Sequence, residues 1–342
     1  MENVTFNATF HITQLEDFLR YRIAMKLWLV SMPIFMIIGF LTNSLNILIL
    51  RRRCFFGNST SSILVMLSMS DIVNLMIGPL RFIILLTSGK DLTEISNAYC
   101  KVYRFFNYFF TDFSVWLVII LALERAFAVG IPHKVRVYFS VRNVYILASA
   151  IALFLASINI HFFITYEVTS GSNSTSLLSC TVGNPAYYKF ALIIFPWIDF
   201  CVFSLVPIGM VTGCNLFIVV KLLMSRYKQN ILTQNGSAVT QNQPKLKSMT
   251  IIMFMISGFL VIAVVPTAIH AFVYPEWIRK QKEGDIEAEV DLVVFAVYIV
   301  IGIYANCCIN FFLYSASNKR FRNELVRIIK RQNQVGPASS NT

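Results

Sequence analysis

The chain has 342 residues, of which 56% are hydrophobic, 14% aromatic and 13% charged, and its formal net charge is +12 from 29 Lys and Arg against 17 Asp and Glu. Soluble domains carry about 25% charged residues, so a soluble enzyme and a disordered chain are excluded; seven Cys in this length also exclude a secreted disulfide scaffold. A membrane protein remains, and a nucleic-acid partner is set aside because the chain is too apolar for that class.

A membrane-crossing helix needs about 20 mostly apolar residues. Residues 1–26 are polar, carry the sequons at Asn3 and Asn7, and contain no cleavable leader, so the first apolar run is expected to act as an uncleaved targeting segment. Apolar stretches then follow at 27–50, 61–86, 102–124, 143–166, 190–220, 249–273 and 292–316. A further sequon, at Asn173, lies between the fourth and fifth stretches, in a loop whose residues around 167–189 suit a strand-like lid. The connection 221–248 is rich in Gln, Asn, Thr and Lys and reads as mobile. Beyond the last stretch, Phe321, Leu325, Ile328 and Ile329 follow helical spacing amid six Lys and Arg. This predicts a basic amphipathic helix over 317–331 lying on an anionic leaflet, with a disordered tail at 332–342. The fold class is an all-α membrane protein: a seven-transmembrane helix bundle with a short amphipathic helix after the seventh span.

Orientation follows the placement of Lys and Arg. Segments 51–60, 125–142, 221–248 and 317–342 hold eighteen of the 29, with Glu324 their only acid, whereas twelve acids lie on the other side. The amino terminus is therefore expected outside, in a multi-pass plasma-membrane protein, with Asn3, Asn7 and Asn173 exposed to glycosylation. The sequons at Asn58 and Asn235 then fall inside. No internal repeat supports a transporter. Asp71, Arg81, Asp112 and Asp199 fall inside the apolar stretches, where a charge costs at least about 2.5–3.5 kcal/mol, which marks them as functional candidates.

The third stretch begins near Cys100 and ends, 25 residues later, in Glu124-Arg125-Ala126, with Pro132 seven residues beyond the arginine. Cys180 lies in the loop after the fourth stretch; Asn43, Asp71, Pro207, Pro266 and Asn310-Phe311-Phe312-Leu313-Tyr314 mark the first, second, fifth, sixth and seventh. In this order the set resembles the rhodopsin-like (class A) G-protein-coupled receptors across all seven spans, with 27–316 as the receptor domain. Trp197-Ile198-Asp199 before Pro207 gives a texture similar to invertebrate neuropeptide receptors. The chain departs from the family where many relatives have Asp-Arg-Tyr, a span 7 proline (Phe311 here), a span 6 tryptophan (Val264), a span 4 tryptophan (absent around 148–150) and a span 5 tyrosine (Asn215).

The resemblance implies a receptor, not an enzyme, that binds an extracellular ligand and activates heterotrimeric G proteins. It pairs Cys100 with Cys180 as a disulfide and makes Glu124, Arg125 and Tyr314 the switch that receives the G protein. Asp71 with Asn43, Ser114, Asn306 and Asn310 would hold an allosteric sodium ion, the alternative being a protonated Asp71 in a polar knot. No other cofactor and no metal site is expected. An amine ligand is disfavoured because the usual span 3 aspartate is Asn107, and retinal because Tyr304 replaces the span 7 lysine. Arg81, Arg104, Asn107, Tyr108, Thr111, Asp112, Asp199, His270 and Tyr304 are the expected pocket. Asp112 and Asp199 could receive a basic group, Asp112 could instead pair with Arg81 or His161, and His270 alone reads equally as packing. Six acids over 274–291 suit a cationic peptide, or form a merely solvated loop. A neuropeptide is the expected ligand, with a chemosensory or lipid receptor and then a transporter as alternatives.

Overall fold

The computed structural model describes residues 15–170, 178–234 and 244–333. Seven helices long and apolar enough to cross a membrane coincide with the seven apolar stretches, one each. They are α1 (Leu19–Leu50), α2 (Ser59–Ser88), α3 (Asn97–Gly130), α4 (Val141–Asn159), α5 (Val206–Gln234), α6 (Pro244–Lys282) and α7 (Ile286–Ser317), followed by α8 (Lys319–Asn333). A turn at Phe162–Thr165 continues α4, and a wound segment from Pro185 leads into α5. Asn3, Asn7, Asn173 and the expected disordered tail beyond Asn333 lie outside the described residues.

Short polar side chains start these helices by accepting from amides that the helix leaves unpaired. Asn58, Ser96, Ser140 and Asp285 cap α2, α3, α4 and α7 through the N–H groups of Thr60, Tyr99, Asn143 and Ala288. The Asn58-Ser-Thr sequon is thus a helix start. Gly89, at φ 68°, ends α2 in the left-handed conformation that glycine tolerates.

The third helix is wrapped on all sides: Leu117, Val118, Ile119, Ile120 and Leu121 are each nearly fully buried. Around it, Ile63, Leu67, Val211, Ile256 and Leu260 complete the core. The peripheral helices point large apolar side chains outward instead, with Leu153 and Ile262 74% and 71% exposed. That is a stable surface only in hydrocarbon, where helices satisfy their own backbone.

Within 221–248, α5 runs on past its apolar stretch to Gln234, since nothing from Lys221 to Gln234 is Gly or Pro, and α6 begins at Pro244; the middle of the stretch expected to be mobile, 235–243, lies outside the described residues. One expectation is corrected. In α8 the apolar stripe divides. Phe321 is buried against Phe311 and Tyr314, at ring distances of 5.7 and 6.0 Å, and Leu325 and Ile328 also pack on the bundle. Only Val326 and Ile329 remain largely exposed on that helix's apolar set. Arg322 donates to the Ser315 and Ala316 carbonyls, neutralising the end of α7.

Between α4 and α5 the chain forms an antiparallel hairpin, β1 (Tyr166–Ser170) with β2 (Leu178–Val182), pairing Val168 with Cys180. A disulfide joins Cys180 to Cys100 at a Cα–Cα distance of 5.7 Å. It pins the hairpin across the start of α3.

Candidate functional site

A cavity of about 280 Å³ adjoins the hairpin through Arg104, which lines it and donates to the Cys180 carbonyl. Tyr103, Asn107 and Thr111, and beside them Arg104, Tyr108 and Asp112, form two adjacent i, i+4 rows on α3 that line it. Eight of the nine expected pocket residues lie on its wall: Arg81, Arg104, Asn107, Tyr108, Thr111, Asp112, Asp199 and Tyr304. His270 does not. Its ring stacks on Phe295 of α7 at 5.9 Å and tilts against Tyr274, so it serves packing.

Each wall residue is held by a local device. Arg81 is taken up by Asp91, with Nε donating to Oδ1 at 2.8 Å and Nη2 to Oδ2 at 2.5 Å, while its guanidinium lies 4.9 Å from the Tyr103 ring. Burial alone would raise the Asp91 carboxyl; the Arg81 hydrogen bonds and charge and the Thr93 amide overcome that and hold it at about 2. Arg104 donates to the Cys180 carbonyl at 3.4 Å and lies over the Tyr166 ring, tying α3 to the hairpin. Tyr304 reaches the wall because Gly78 opposes it: a Cβ there would collide with the phenol. Thr111 donates to the Asn107 carbonyl at 2.7 Å.

The pairing of Asp112 with Arg81 or His161 is not found. Asp112 is 3% exposed and accepts from Asn159 Nδ2 at 3.2 Å, while His161 turns its Nδ1 to the Ile158 carbonyl at 3.0 Å. Asp199 ends a helical turn, Phe195–Asp199, set between π-wound segments at Phe190–Ile194 and Phe200–Leu205. Such segments recur at functional sites because an extra residue re-aims side chains and frees a carbonyl. Here the Val202 carbonyl accepts from the Trp116 indole at 3.1 Å. Sequence reasoning missed Asp91, Asn159 and Thr267. Thr267 also lines the cavity, with its hydroxyl buried and unpartnered among the described residues; its position after Pro266 was the available signal.

At the far end of α3, Glu124 is 4% exposed and accepts from Ser59 Oγ at 2.5 Å and from Thr60 Oγ1 at 2.9 Å. Arg125 Nη2 bonds Glu124 at 3.2 Å and also donates to Thr60 Oγ1. The start of α2 therefore shares in holding the Glu-Arg pair.

The family described as 7 transmembrane receptor (rhodopsin family) matches residues 42–314. The chain belongs to that family. No curated protein gives a significant match. As a rhodopsin-family receptor it is not an enzyme, and it is a multi-pass membrane protein.

Several family landmarks are rebuilt in this receptor. Phe311 keeps α7 continuous and makes a T-shaped contact with Phe321, so the usual proline is replaced by a clamp on α8. Val264, 2% exposed, borders a second void of about 10 Å³ with Leu260 and Asn306, where the relatives' larger indole is missing. In the centre, fully buried Asp71 accepts from Asn310 Nδ2 at 3.0 Å. Ser114 and Cys307 lie beside it, yet its Oδ1 has no hydrogen-bond partner among the described residues. Asn43 spends its amide on the Gly39 and Cys307 carbonyls, leaving Oδ1 unpartnered, and Ser114 donates to Ser70 at 2.9 Å. A carboxylate and amide and hydroxyl oxygens, two of them buried without partners among the described residues, fit a hard monovalent cation.

The acidic stretch 274–291 is partly neutralised within the fold. Arg279 bonds both Glu276 and Glu283, Arg20 pairs with Asp291 at 3.0 Å, and Asp285 caps α7.

Proposed function

We propose that this receptor is a plasma-membrane protein with its disulfide end outside, that it binds an extracellular peptide in the cavity beside the hairpin, and that it activates a heterotrimeric G protein at the Arg125 end. The supporting observation is the division of polar groups along α3. Cavity residues end at Asp112, and Arg125 follows thirteen residues later, about 20 Å along the helix. The intervening segment is packed apolar core with the Asp71 knot beside it, which suits transmission by helix movement and not passage of a solute.

A peptide is favoured over a lipid by the charged walls, Arg81, Arg104, Asp112 and Asp199, of which Arg104 is tied to the hairpin. The volume is at the lower edge of the about 300–1,000 Å³ typical of ligand pockets, so one or two side chains enter while the remainder of the peptide stays with the hairpin. Asp71, Asn43, Ser114, Asn306 and Asn310 are the groups that would hold sodium; the ion would supply a positive charge at Asp71 that favours the inactive arrangement. Screening amidated peptides on cells expressing the full chain, with calcium and cyclic-nucleotide readouts, tests the ligand class. A peptide response abolished by Asp199→Ala is expected; a response confined to lipids or odorants overturns it.

A further inference from the structure

We infer that Asp112 and Asp199 form a paired-carboxylate clamp for one guanidinium on an unbranched alkyl chain, carried by a ligand arginine or by a free guanidino compound. This deepens the receptor reading above and rests on it. Both carboxylates line one cavity. Asp112 is more than nine-tenths buried, and only its Oδ2 is engaged, by Asn159. No Lys, Arg or His bonds either carboxylate among the described residues: Arg81 is committed to Asp91 and Arg104 to the Cys180 carbonyl. Two buried oxygens on the same wall, Asn107 Oδ1 and Thr267 Oγ1, also lack partners among the described residues.

That inventory selects the cation. Two carboxylates and two further acceptors present more lone pairs than the three donors of an ammonium can satisfy. A guanidinium carries five N–H donors in a planar fork and is more weakly hydrated, so it loses less on entering a partly dry cavity. The cavity admits one such side chain, which places the rest of an arginine-bearing ligand against the hairpin.

The test uses the purified full-length receptor in lipid nanodiscs and follows Tm against probe concentration, since a ligand that binds only the folded state raises it. Butylguanidine should bind at least tenfold more tightly than butylamine, and the neutral isostere butylurea should give no shift. Asp199→Asn and Asp112→Asn should each weaken butylguanidine at least tenfold, as expected when one partner of a buried charge pair is removed. Equal shifts from butylurea or butylamine, no shift from butylguanidine, or an undiminished shift in folded variants would each overturn the clamp. If Asp112→Asn fails to fold, the wild-type series and Asp199→Asn, whose carboxylate has no hydrogen bond to lose among the described residues, still decide. N-acetyl-arginine methylamide separates the sources: tighter binding than butylguanidine indicates a peptide arginine, weaker binding a free guanidino compound. No G protein takes part, so failure here leaves a receptor for a different ligand, whereas failure of nucleotide exchange would count against signalling itself.

Discussion

Thr60 carries two bonds at once, donating to Glu124 and accepting from Arg125. Hydrogen bonds to charged groups contribute about 1.5–3 kcal/mol, so Thr60→Val should release the Glu-Arg pair and raise ligand-free nucleotide exchange about tenfold; unchanged basal exchange would show that the hydroxyl restrains nothing. Asp91 makes a different prediction. Its folded value of about 2 lies below the ordinary 3.8, so its stabilising contribution is present above about pH 4 and is lost as pH falls through about 2. Asp91→Asn should therefore lower Tm at pH 7, and the gap from wild type should close between about pH 4 and 2; a gap constant down to pH 2 contradicts the ion pair with Arg81. At Asp71 the proposed ion predicts that sodium weakens agonist binding in wild type and not in Asp71→Asn. Equal sodium sensitivity would leave the protonated knot. These residues differ in how readable they were. Asp71, Asp112 and Asp199 stood out because charge is expensive in hydrocarbon, whereas Asp91, Thr60 and Asn159 are ordinary polar residues whose roles arise only when distant segments meet.

Helices were legible because the bilayer imposes a length; their starts, capped by Asn58, Ser96, Ser140 and Asp285, lie two to six residues before the apolar runs and were not. The π-wound stretches around Asp199 were not either, since the same apolar residues suit an α or a π turn. The amphipathic pattern of α8 reads as a helix, but part of its stripe packs on the bundle while Val326 and Ile329 stay exposed, and periodicity cannot divide the two. Phe321 is 1% exposed and bridges Phe311 and Tyr314. Phe321→Ala should cost about 3 kcal/mol, the scale for emptying a buried aromatic position, and should lower Tm and loosen α8 in hydrogen exchange. A wild-type Tm would mean that α8 is held by lipid alone.

Across the whole molecule the excess of basic residues has a place: eighteen of the 29 belong to the Arg125 end and its connections. On the proposed orientation that end meets the anionic inner leaflet, while the disulfide, hairpin and cavity face outward. The order of Cys100, Glu124-Arg125, Cys180 and the span prolines carried the family resemblance, and the match over 42–314 makes it membership. The ligand was less legible because a pocket is assembled from single residues on several helices, and only α3 shows its share as a spacing. The central claim is that a ligand signal received beside the hairpin leaves through Arg125. It is tested most directly by ligand-stimulated guanine-nucleotide exchange on purified G proteins, comparing wild type with Arg125→Ala in nanodiscs and measuring ligand binding in parallel. Exchange should be lost in Arg125→Ala while binding persists; full exchange by the variant, or none by wild type with any G protein, would contradict the account.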